Sequence, residues 1–111
     1  MSDIQGFGSG PISPQNRQLY EQDYKRGVDL FQRALGEYAK AEEPHKKEAF
    51  KQVMDNALHC LNESARGLKR QDLLQQTSKI EHDYQAYQSH AEDPEKTQLT
   101  SDLDQANKFI S

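Results

Sequence analysis

The chain has 111 residues, a formal net charge of −4 and a mean hydropathy of −1.07. That length suits one domain with a small core, because Leu, Ile, Val and Phe together number only 20. No stretch reaches the roughly 20 apolar residues of a membrane-spanning helix, and the positive charge is too scattered to follow a nucleic-acid backbone.

"MSDIQGFGSGPISP" opens the chain with three glycines, two prolines and three serines. Such a segment has much backbone freedom and little to bury, so residues 1–14 are predicted to be a flexible tail. The same stretch carries Ile4, Phe7 and Ile12, which would let it serve as a docking arm. From residue 15 the pattern changes. Tyr20, Tyr24, Gly27, Val28, Phe31, Ala34, Leu35 and Tyr38 recur at spacings of three and four, the signature of one helical face over about 15–41. Gly27 lies in that stripe, where a missing side chain lets another backbone approach. It and Gly36 each lower helix propensity by about 1 kcal/mol relative to alanine.

"AEEPHKKEAF" at 41–50 and "AEDPEKTQLT" at 91–100 are nearly the same phrase. Pro44 and Pro94 each lack the amide proton that would continue a helix, yet each fits the first turn of a new one. The acids beside them suit the positive end of a helix dipole. Each phrase therefore predicts a corner between helices. Flanking apolar positions do not superpose, which favours convergent corner chemistry over duplication. The second row is Phe50, Val53, Met54, Ala57, Leu58, Leu61, Ala65 and Leu68, with Gly67 expected to end the helix in the left-handed conformation. A third row follows at Leu73, Thr77, Ile80, Tyr84 and Tyr87, with Ala91 in phase. A fourth comprises Leu99, Leu103, Ala106 and Ile110. The expected fold is all-α: an antiparallel bundle of three long helices and a short C-terminal one, with hairpins over 15–67 and 69–110 in a domain spanning 15–111.

Chemistry is harder to find. His59 and Glu63 share a helix face and Cys60 is adjacent, a trio that a small metal- or thiol-dependent enzyme would use. Cys60 nevertheless points about 100° away from His59 around a helix, and a structural zinc site needs four organised ligands. The carboxylates at 42–43 and 92–93 are explained by the corners. No catalytic residue, cofactor or metal ligand is therefore expected. One cysteine and no visible secretory signal suit a cytoplasmic, reducing compartment.

All five tyrosines lie on the first and third rows. Tyrosine tolerates half-burial and is enriched at interfaces, so these rings either rim a small core or complete a face with another chain. The expected contact residues are Tyr20, Tyr24, Leu73, Ile80, Tyr84 and Tyr87. The expected function is a non-enzymatic module that binds a protein partner or itself through an amphipathic helical face.

Two resemblances accompany this reading. "RALGEYAKA" at 33–41 resembles the second helix of a tetratricopeptide unit through Ala34, Tyr38 and Ala41, and that likeness implies a turn near residues 28–30. "GFGSG" and "EDPEKTQLTSDLDQANKF" at 92–109 resemble the N-terminus and the proline turn of type III secretion needle subunits. That likeness implies a small component or chaperone of a bacterial secretion apparatus, although needle subunits carry one hairpin and this sequence predicts two.

Overall fold

Ser13 and Pro14 start the first helix together. The Ser13 hydroxyl accepts a hydrogen bond from the Asn16 amide at 3.2 Å, and Pro14 fills the first helical position, where no amide proton is needed. Helix α1 then runs unbroken over Pro14–Lys40, with no turn near residues 28–30. Helices α2 (Pro44–Leu68), α3 (Gln71–His90) and α4 (Asp93–Ile110) follow. The computed structural model describes residues 13–90 and 93–110. The expected tail and its Ile4, Phe7 and Ile12 lie outside the described residues, as does Ala91.

Both proline corners fall where the repeated phrase put them, with Pro44 and Pro94 in the first turns of α2 and α4. Each helix packs on the next in sequence, and α4 closes the ring against α1. With connections this short the neighbours run antiparallel, giving an up-down-up-down four-helix bundle.

Spacing around that ring decides which residues are used where. Along α1–α2, small residues bring the helices close: a Cβ on Gly27 would lie 2.9 Å from Leu61 Cδ2 and 3.4 Å from the Ala57 carbonyl oxygen. Helices α1 and α3 sit on a diagonal and must be bridged by longer side chains. Tyr24 reaches Thr77, Phe31 meets Tyr84 edge-on at 5.1 Å between centroids, and Tyr38 meets Tyr87 at 5.8 Å. The absence of tyrosine from α2 follows from this geometry. The third and fourth rows point inward as expected, with Leu73, Thr77, Ile80, Leu99, Leu103 and Ala106 fully buried.

One helix stop differs from expectation. Gly67 does not take the left-handed conformation, because Lys69 does, with φ 57°. The Lys69 amide donates back to the Ala65 and Arg66 carbonyls and closes the helix there. Gly67 instead stays helical and leaves room for a ring: a Cβ there would lie 2.5–2.6 Å from three atoms of Tyr20. Just beyond, Arg70 holds Asp72 with two bonds and donates to the Phe109 carbonyl at 3.0 Å. The Asp72 carboxylate also accepts the Leu73 amide at 2.8 Å, and its pKa is lowered, chiefly by the Arg70 hydrogen bond. This clamp ties the α2–α3 corner to the end of α4.

Candidate functional site

The residues expected to meet a partner are placed inside the bundle. Tyr24, Leu73, Ile80, Tyr84 and Tyr87 are all buried, and Tyr20 is half-buried against Gly67. The reason is the diagonal: a ring long enough to bridge α1 and α3 is consumed by the bridge. The hydroxyls are spent there too. Thr77 donates its single hydroxyl proton to the Leu73 carbonyl at 2.7 Å, so the Tyr24 hydroxyl must donate to Thr77 Oγ1 at 2.9 Å. Tyr84 donates to Asp55 Oδ1 at 2.7 Å. Burial pushes both phenols above the ordinary tyrosine range, and the Asp55 carboxylate pushes Tyr84 further.

What remains outside is a seam on the first hairpin, turned away from α3 and α4. The Cys60 thiol donates to the Asp23 carbonyl at 3.4 Å and sets the antiparallel register there. One heptad along each helix brings Leu30 beside Val53, and a second brings Glu37 beside Lys46. Glu37 and Lys46 do share one open depression, with Lys40, Ala41, Ala49 and Phe50. Leu30 is 42% exposed and Val53 38%, and Phe50 is half-buried. Their flanks are exposed ion pairs of both signs, Arg26–Asp23, Arg33–Asp29 and Lys46–Glu43. Such pairs add about 0–1 kcal/mol each and keep the rim wet.

Sequence periodicity placed Phe50 and Val53 in a core row and passed over Leu30. The signal for Leu30 was its position off the 24–28–31–35 row of its own helix. Leu19, one turn before Asp23 on α1, is exposed as well.

The His59–Cys60–Glu63 trio is not assembled into one site. His59 is exposed, Cys60 engages Asp23, and Glu63 pairs with Arg66 at 3.4 Å. Among the described residues no group of three or more His, Cys, Asp or Glu side chains gathers around a point where a metal ion would sit. Among them, too, no helix is long and apolar enough to cross a membrane. Comparison with protein-family models, with curated proteins and with solved structures returned no match.

Proposed function

We propose that this protein acts by binding, with the outer seam of its first hairpin accepting a helix from another polypeptide chain. The observation that carries the reading is that Leu30 and Val53, which the α1–α2 register sets side by side, are 42% and 38% exposed on the outer side of the first hairpin, with Phe50 half-buried on the same helix as Val53. An exposed apolar pair in the groove between two antiparallel helices, bounded by polar positions one heptad away on each side, fits an apolar residue on the ridge of an amphipathic helix. Flanks of mixed sign suit a protein partner better than a phosphate backbone, which calls for unopposed Lys and Arg. The binding surface thus moves from the tyrosine rows, which fill the interior, to the α1–α2 seam.

The test begins with absolute mass by light scattering over a wide concentration range. A dimer that Val53→Asp converts to monomer places the partner helix in a second copy. For a separate partner, a photo-cross-linker is placed at position 53 and, as a control, at Ser78 on the exposed side of α3. The reading expects a discrete adduct in cells from position 53 alone, lost when Leu30→Asp is added. A protein monomeric at every concentration, with equal adducts or none from the two positions, refutes it.

A further inference from the structure

Asp102 is the anomaly of the bundle. It lies on α4 in phase with Leu99, Leu103 and Ala106, and its side chain is only 1% exposed. An isolated ionised carboxylate in such a place is costly. One oxygen is well supplied: Oδ1 accepts Gln98 Nε2 at 3.0 Å and lies 3.5 Å from Lys79 Nζ. The backbone beside it is held as well, since Gln76 Nε2 donates to the Asp102 carbonyl at 2.8 Å. The other oxygen, Oδ2, is buried and has no donor.

Across the α3–α4 interface, Asp83 repeats the problem. Its side chain is 17% exposed, and its own Oδ2 is likewise buried without a donor. The two carboxyls are within hydrogen-bonding reach of each other. Each carboxyl therefore has one buried oxygen with no donor, and when ionised both groups can only accept, so neither can supply the other. A proton is the missing piece. Other charged groups at the pair are Lys79 and His82, both on α3. Lys79 is more than half exposed, and the 83%-exposed His82 touches the far oxygen of Asp83 at 3.4 Å. Helix α1 meets α4 through Gln32 and Asp104, which is turned about 200° from Asp102 around the helix. Helix α2 meets α3 through Asp55 and Tyr84.

We propose that Asp83 and Asp102 share one proton between their Oδ2 atoms, and that this proton latches the α3–α4 hairpin closed. Losing it puts two like charges in the interface, with one lysine to offset them, so the hairpin is tightest in mild acid and looser at neutral pH. Burial, with Asp83 as the next cause, pushes Asp102 up to about 6 from an ordinary 3.8. The sign follows from linkage. A carboxyl whose pKa is higher folded than unfolded contributes stability that is fully present below pH ~4 and gone once pH has risen past ~6. Over that window the folded-to-unfolded ratio falls on the order of a hundredfold from this pair alone.

The test is denaturant unfolding at pH 5 and pH 7.5 for the natural chain and for Asp102→Asn, whose amide can donate permanently to Asp83. The natural chain is expected to lose stability between the two pH values, and the variant to lose about tenfold less in unfolding constant, the part of the window that lies above pH ~5. So that the result does not depend on how other groups respond to pH or on how the variant folds, carbon-13 NMR of the carboxyls in the natural chain is the second measurement. One aspartate titrating near pH 6 is expected. All aspartates titrating below pH ~4.5, or an unaltered pH dependence in a folded Asp102→Asn, would overturn the latch.

Discussion

Two glycines on one helix offer a controlled measurement of how closely α1 and α2 approach. Replacing either Gly27 or Gly36 by alanine gains the same intrinsic helix propensity, about 1 kcal/mol. At Gly36 the new methyl meets nothing within 4 Å, so the gain is kept, and Gly36→Ala should stabilise by about 0.5–1 kcal/mol. At Gly27 the methyl would arrive 2.9 Å from Cδ2 and 3.3 Å from Cγ of Leu61, which is fully buried, and 3.4 Å from the Ala57 carbonyl oxygen. Overpacking of that kind costs about 1–3 kcal/mol. Gly27→Ala should therefore lie between neutral and about 2 kcal/mol destabilising, at least 1 kcal/mol below Gly36→Ala. Urea unfolding followed by circular dichroism at helical wavelengths resolves that gap, provided the two variants share one m-value. Equal stabilisation by both would mean that the helices are farther apart at Gly27 than the fold requires. The account of α1–α2 packing would then be wrong.

Two further outcomes follow from the polar contacts. Thr77→Val keeps the shape of the side chain but leaves the buried Tyr24 hydroxyl without its acceptor, a loss of about 1–3 kcal/mol, and Tyr24→Phe in the same chain should recover part of it. No recovery in that double-mutant cycle would show that the two groups do not interact. Arg70→Ala removes the donor to the Phe109 carbonyl, and amide exchange should quicken in the last turn of α4 while the middle of α1 is unchanged. Uniform acceleration across both helices would refute a local capping role.

The helices and their corners were legible in the sequence because their causes are local. Spacings of three and four mark a helical face whatever it packs against, and a proline ends one helix and starts another without help from distant residues. The buried rows of α3 and α4 were legible for the same reason. Position 67 shows where local reasoning stops. A glycine before leucine reads as a helix stop, yet the glycine was needed to admit the Tyr20 ring, a residue 47 positions away, and Lys69 took the left-handed turn instead.

The sequence by itself determined that this chain forms four amphipathic helices turning at two proline corners and once between α2 and α3, with tyrosine confined to the first and third. It did not determine what those tyrosines face, because an amphipathic row looks the same whether its complement lies in its own chain or in another. Only the closed ring decided that α1 and α3 stand on a diagonal, where long rings are needed to fill the centre. The same closure left Leu30 and Val53 outside and brought Asp83 against Asp102 across two helices. Contacts between residues far apart in the chain depend on how helices are arranged in space, and periodicity along one helix carries no information about its neighbour.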